Sequence, residues 1–352
     1  MLEAPKLLFI PVSGAYGMGE LARSLAIARA AARRWPAAEI HFLISRQAPY
    51  AGMVPFAVTL LPSSPTLNSP QVIQKILDWR PDVVVFDNAG RSAQLRAAQR
   101  IQARIVFISA RARQRRKAFR MRWMRCIDEH WIAYPEFIAG KLSWLERLKV
   151  DVLRRPIVRF LDVIAARPGA DENSPIEPGS YALFVPGGGT GHPGADDAVR
   201  LFVAAAQALA AQTVQCVVVG VLAGEAEAPP ADSLRMLAPM PQPQLMQLMR
   251  GARILVTNGG STLLQGIAMG CACIGVPIAK DQPRRIERCV AAGVAWSVPL
   301  AAAPMAEAAA ALWRDEAARC LLAQRAAALR LKDGIEVALQ GLERLIAEPS
   351  GA

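Results

Sequence analysis

A chain of 352 residues with 53% hydrophobic and 20% charged residues is long enough to bury two cores and too apolar to be disordered. No apolar run is long enough to cross a bilayer, and the first one, Leu7–Val12, is too short for a signal-peptide core and lacks a cleavage signature, so a cytoplasmic protein is expected. The net charge of +12 calls for an anionic partner or surface, and the six cysteines, at 126, 216, 271, 273, 289 and 320, lack zinc spacing and are expected to be reduced and mostly buried.

In chain order, Lys6–Val12 reads as a first strand, Leu21–Arg34 as a helix, Glu39–Ile44 and Val58–Leu61 as strands, Gln71–Trp79 as a helix and Asp82–Asp87 as a fourth strand. Arg104–Ser109 and His130–Ala133 continue the series. Continuous apolar strands alternating with helices imply an α/β fold whose parallel sheet is covered on both faces. The turn between the first strand and its helix, Ser13-Gly14-Ala15-Tyr16-Gly17-Met18-Gly19-Glu20, is rich in glycine. Its spacing is wrong for a dinucleotide fingerprint, and no acid ends the second strand. Strands one and four adjoin the switch point of a doubly wound sheet, which brings Glu20 and Asp87 toward one end and makes both candidate proton acceptors. Their structural alternatives are a helix-dipole acid for Glu20 and an N-cap for Asp87.

From Arg111 to Arg125 the chain carries eight cations and no acid, with Phe119, Met121, Trp123 and Met124 between them. No nucleic-acid motif accompanies them, so nucleic acid is not an expected partner. An amphipathic segment meeting an anionic membrane surface or an acidic or lipid-linked acceptor is one reading, which would place the protein peripherally at the inner face of the membrane. A solvated Arg-rich helix is the other. The polar, Pro- and Gly-rich residues 167–180 form an expected linker between a domain over 1–166 and a second over 181–333. The second domain starts with the strand Tyr181–Val185 and continues through Gln215–Val219.

Its most informative stretch is Val256-Thr257-Asn258-Gly259-Gly260-Ser261-Thr262-Leu263-Leu264-Gln265, followed by Ile274–Pro277 and Asp281-Gln282-Pro283. Arg253–Val256 reads as a strand, Asn258–Thr262 as a small-residue turn, Leu263–Met269 as a helix and Cys271–Pro277 as a second strand. The backbone N–H groups of Gly260, Ser261 and Thr262 then lie at a helix N-terminus, where free donors and the helix dipole suit a diphosphate.

This block resembles the donor-binding motif of GT-B glycosyltransferases, both the plant-type UDP-glycosyltransferases and the bacterial muropeptide N-acetylglucosaminyltransferases. The resemblance implies two Rossmann-like doubly wound parallel-sheet domains facing a cleft, with a final helix over 334–352 crossing back to the first domain. It assigns Gly259, Gly260, Ser261 and Thr262 to the diphosphate, Gln265 to the ribose in place of the family's Glu, and Asp281 and Gln282 to the sugar hydroxyls. Met240 falls in the segment that frames the nucleobase. Gly188, Gly189 and Thr190, after Tyr181–Val185, are implied secondary phosphate contacts, and His192 an implied donor to the leaving diphosphate. The first loop is similar to that of the muropeptide enzymes and of pseudaminic-pathway UDP-sugar hydrolases, with Arg23, Leu25 and Ala26 retained and Glu20 in the place of their His. The implied activity is inverting transfer from a nucleotide sugar, UDP-linked by resemblance, to an unidentified acceptor. No cofactor beyond that co-substrate is expected, and no metal, because no Asp-x-Asp follows a strand; Arg284 or Arg285 would assist the leaving group. A nucleotide-sugar hydrolase and a non-catalytic nucleotide-sugar-binding subunit are the alternatives.

Overall fold

The computed structural model describes residues 4–14, 19–48, 51–165, 176–187, 197–221 and 233–347. The chain divides into two compact units, one of Met1–Ile164 with Lys332–Ala352 and one of Ala165–Leu331.

Unit 1 runs β1 (Lys6–Pro11), α1 (Gly19–Arg34), β2 (Glu39–Ser45), β3 (Ala57–Leu61), α2 (Ser69–Trp79), β4 (Val83–Asp87), α3 (Ser92–Arg100), β5 (Arg104–Ser109), α4 (Ala112–Ala118), α5 (Met121–Met124), β6 (Glu129–Ile132), α6 (Glu136–Ala139), α7 (Trp144–Leu153) and β7 (Ile157–Phe160). Unit 2 runs β8 (Tyr181–Val185), α8 (Ala198–Ala210), β9 (Gln215–Val219), β10 (Leu234–Leu237), α9 (Gln242–Gly251), β11 (Ile254–Asn258), α10 (Ser261–Ala268), β12 (Ala272–Val276), α11 (Pro283–Ala291), β13 (Ala295–Ser297), α12 (Ala302–Arg314) and α13 (Glu316–Ala328). The last helix, α14 (Gly334–Ala347), lies in unit 1.

The sheets are parallel, ordered β3-β2-β1-β4-β5-β6-β7 in unit 1 and β10-β9-β8-β11-β12-β13 in unit 2. In unit 1 the central strands are apolar on both sides because both faces are covered. Phe9, Val83 and Val85 pack with residues of α1 and α14, while Leu8, Val84 and Phe86 pack with residues of α2 and α3. Unit 2 buries Phe184, Val256 and Ile274 against α8 and α12.

Three strands are absent from the sequence reading: β7, β10 and β13. Each is a sheet edge, only three or four residues long, and β7 and β10 have no fully buried residue. An edge strand in a half-solvated position has no continuous apolar run to announce it. The Arg111–Arg125 segment also differs from expectation, because it is two short helices rather than one amphipathic surface. Phe119, Trp123 and Met124 are buried at 3%, 1% and 0% exposure, so these apolar residues serve the core. Two of the cations are tied down as well: Arg115 binds Glu146 and the carbonyls of Ala139, Gly140 and Lys141, while Lys117 donates to Gly90 O and lies over the Trp123 ring.

Helix α14 docks through a glycine. A Cβ at Gly341 would sit 2.5 Å from Glu129 Oε2 and 2.9 Å from the Trp131 ring, so only a bare backbone can approach. Glu129, fully buried, accepts from Trp131 Nε1 at 2.5 Å, Arg159 Nε at 2.8 Å and Arg344 Nε at 3.0 Å. A buried carboxylate is tolerable only when paired this fully, and one of its partners comes from the end of the chain. Among the described residues no helix is long and apolar enough to cross a membrane.

Candidate functional site

In unit 2, β11 lies between β8 and β12, where the strand order reverses. Ligands of doubly wound sheets collect outside the strand ends at such a reversal. Asn258, the last residue of β11, is buried and bridges two loops: its Nδ2 donates to Pro186 O at 2.6 Å and its Oδ1 accepts from Gly260 N at 2.6 Å. Gln282 closes the turn from the other side, its Oε1 accepting from Gly259 N at 3.2 Å and Ile278 N at 2.8 Å. Arg285 donates to Gly259 O and, at 2.9 Å, to Asp281 Oδ2. The turn is therefore braced by side-chain amides and a guanidinium. A Cβ on Gly187, whose φ is +80, would lie 2.0 Å from Asn258 Nδ2, so the neighbouring loop requires glycine for both its conformation and its proximity.

This bracing determines which donors face a ligand. Helix α10 begins at Ser261, with Gly260 as an N-cap lacking a side-chain bond and with no acid in the first turn. The Gly260 N–H is taken by Asn258, which leaves the N–H groups of Ser261 and Thr262 at the helix start and both hydroxyls near the surface. An anion placed there meets unpaired donors and the positive end of the dipole.

Two expectations change. Gln282, assigned by resemblance to the sugar, is 6% exposed with its oxygen taken by two backbone N–H groups, whereas the Asp281 side chain is 64% exposed. The Asp-Gln pair is thus split, one member facing outward and the other holding the turn. Gln265, assigned to the ribose, is 5% exposed. Arg285 is engaged in the turn, while Arg284 is exposed beside it. Met240 follows β10 and is half-buried. Gly188, Gly189, Thr190 and His192 lie outside the described residues.

The corresponding reversal in unit 1 falls between β1 and β4. Asp87, the last residue of β4, is fully buried and accepts from Arg23 Nε at 2.9 Å, Arg23 Nη2 at 2.6 Å and Ser24 Oγ at 3.2 Å. Burial pushes its carboxyl up to about 6 against the pull of Arg23. Burial also works against the Arg23 charge, but the carboxylates of Asp87 and Glu20 outweigh it and hold the guanidinium above its ordinary range. At neutral pH the pair is ionised, with both Asp87 oxygens occupied, so Asp87 is an anchor for α1 rather than a free base or an N-cap.

Glu20, in the first turn of α1, is placed differently. Its Oε1 accepts from Asn88 Nδ2 at 2.9 Å and from Arg111 Nη2 at 3.3 Å, and its side chain is 12% exposed. Among the described residues these bonds fall on one oxygen, leaving Oε2 for a proton. Asn88, with φ of +52, also accepts from Ala110 N at 2.9 Å and so joins α1, β4 and β5 at this point. Asn tolerates the left-handed conformation better than most residues. Neither Asn88 nor Asn258 was assigned a role from sequence; the only signal was an amide at the end of a central strand.

No protein-family model matches the chain, and no curated protein matches it. Solved structures match over nearly its whole length. Spinosyn forosaminyltransferase SpnP has a TM-score of 0.69 at 14% identity, covering 98% of this chain and all of that one. Glycosyltransferase VinC, solved in complex with TDP, has a TM-score of 0.67 at 13% identity and covers 97% of this chain and 99% of its own. A structure from Listeria monocytogenes that carries the name of a UDP-N-acetylglucosamine 2-epimerase has a TM-score of 0.64 at 14% identity, covering 98% and 97%. With two parallel α/β units, each reversing its strand order at the braced ends of its central strands, the chain has the GT-B fold.

Proposed function

We propose that this protein is a glycosyltransferase that takes a sugar from a nucleoside diphosphate donor and transfers it, with inversion and without a metal ion, to an acceptor hydroxyl. The observation carrying this reading is the braced turn Gly259–Thr262, whose remaining N–H groups and hydroxyls match a diphosphate and whose first helical turn contains no acid. The acceptor oxygen attacks the anomeric carbon as the bond to the diphosphate breaks. Glu20 takes the proton from the acceptor, and the departing diphosphate is stabilised by the start of α10 and by Arg284. The outward carboxylate of Asp281 accepts from sugar hydroxyls. The base of the nucleotide is uracil or thymine, the first by sequence resemblance and the second by analogy with VinC, solved with TDP.

The test is a thermal-shift series with UDP, TDP and GDP. Ligand linkage gives about 2.7 kcal/mol of stabilisation at a hundredfold excess over Kd. Gly260→Asp places a carboxylate in the turn and is expected to abolish the shift. No shift with any of the three in the wild type would sink the donor site. Incubation with a UDP- or TDP-sugar and no acceptor then separates the chemistries: a free sugar product marks a hydrolase, an epimeric nucleotide sugar marks an epimerase, and an unchanged donor agrees with transfer.

A further inference from the structure

Helix α7 carries an apolar face outward. The side facing the protein is anchored by polar bonds, Glu146 binding Arg115 of α4 at 2.8 Å and Lys149 Nζ donating to Phe119 O at 3.2 Å, beside half-buried Val150 and Leu153. Its outward side is apolar, with Trp144 67%, Leu145 48%, Leu148 50% and Val152 68% exposed. Positions 144, 148 and 152 recur every four residues and form one stripe, with Leu145 on its flank. No residue of α7 is buried. An amphipathic helix gains stability by turning its apolar stripe toward the core, so a stripe turned to solvent signals a cover from outside. A second copy of the same face is a poor cover. A stable protein interface takes about 20–30 residues a side, and exposed Arg116, Arg120, Lys141 and Arg147 beside the stripe would meet their own copies. The acids nearby are Glu146, held by Arg115, and exposed Asp151.

We propose that the outward face of α7, together with exposed Arg116, Arg120, Lys141 and Arg147, docks this protein onto an anionic lipid bilayer. Trp144 and the Leu148–Val152 stripe enter the headgroup–acyl boundary, where an indole is favoured, and the arginines meet the lipid charges. At ten residues α7 lies on the bilayer and does not span it. The docking is independent of the donor turn, which belongs to the other unit.

The test uses the full chain with vesicles of phosphatidylcholine alone and of phosphatidylcholine with phosphatidylglycerol in equal parts. The wild type is expected to co-sediment with the anionic vesicles only, less so as salt rises, and its fluorescence is expected to shift to the blue by a component missing in Trp144→Phe. Leu148→Glu is expected to lower the bound fraction at least about tenfold, and Arg116→Gln with Arg120→Gln to lower it further and flatten the salt dependence. These side chains are exposed, so melting temperatures and nucleotide shifts are expected to stay at wild-type values, which separates a failure of docking from a failure of the donor site. No binding to anionic vesicles would overturn the proposal. Leu148→Glu bound as tightly as wild type would overturn it too, because the cations alone would then be responsible. A wild-type dimer in sedimentation equilibrium that Leu148→Glu dissolves would assign the face to self-association instead.

Discussion

At the reversal of strand order in unit 1, β4 ends in a buried ion pair, Asp87 with Arg23. At the corresponding place in unit 2, β11 ends in a pair of amides, Asn258 and Gln282. The two sheets share a strand order through their first six strands, yet the ends of their central strands are fastened by different means. An ion pair fixes α1 with charge and leaves a second carboxylate, Glu20, near the same point. In unit 2 two amides and the guanidinium of Arg285, itself paired with Asp281, fix the turn before α10, and no acid lies in the first turn of that helix. One strand order is thereby fastened in two ways, and the distinction lies in the fastening residues rather than in the topology.

The largest test of that contrast is Asp87→Ala, which strands Arg23 as an uncompensated buried charge and is expected to cost about 3–5 kcal/mol in denaturant unfolding. Arg23→Met combined with Asp87→Leu removes both charges and is expected to recover most of this loss. A double variant as unstable as the single one would show that the pair does more than neutralise itself.

Glu20→Gln keeps an acceptor for Asn88 and removes the basic oxygen. Turnover is expected to fall at least about a hundredfold, equivalent to about 2.7 kcal/mol, with nucleotide affinity unchanged. Full activity in this variant would return Glu20 to a helix-dipole role. Gln282→Ala unfastens the turn before α10 without touching a charge; about 2 kcal/mol of stability is expected to go with the orphaned Ile278 donor and the bond lost at Gly259, whose N–H keeps Val276 O, and TDP or UDP affinity is expected to fall about tenfold. Loss of stability without loss of affinity would detach the brace from the binding site.

The remaining test is in pH. His130 is fully buried beside Ser109, and burial, aided by Arg115, lowers its pKa to about 3 from an ordinary 6.5. The folded state therefore prefers the neutral ring. Its contribution is whole above pH 6.5 and is lost as pH falls toward 3, at up to about 1.4 kcal/mol per unit. Asp87, raised to about 6, contributes the opposite slope between 3.8 and 6, so the wild-type curve alone does not isolate either group. The difference between wild type and His130→Gln does. Parallel curves from pH 7 to pH 4 would contradict the assignment.

The central strands and the turn before α10 were legible because each is local: β4 and β11 open with apolar runs, and Gly259–Thr262 announces a turn before a helix. What fastens them was not. Arg23 and Asp87 are 64 residues apart, and their pairing depends on how α1 crosses the end of β4. Gln282 stands in the sequence beside Asp281 as though the two shared a task, but the first turn of α11 sends one inward and the other out. Periodicity also showed nothing of the inverted face of α7, because the same spacing describes a stripe turned inward or outward.

The return of α14 to unit 1 also has a consequence during synthesis. Glu129 and Arg344 are 215 residues apart, so at about 5–20 residues per second the ribosome needs about 10–40 s to deliver Arg344 after Glu129 has been made. Unit 2 is complete in sequence at Leu331, before Arg344 is made, while the earlier half of the polypeptide waits with Trp131 uncovered and Glu129 short of one partner. The part translated first is the last to be finished.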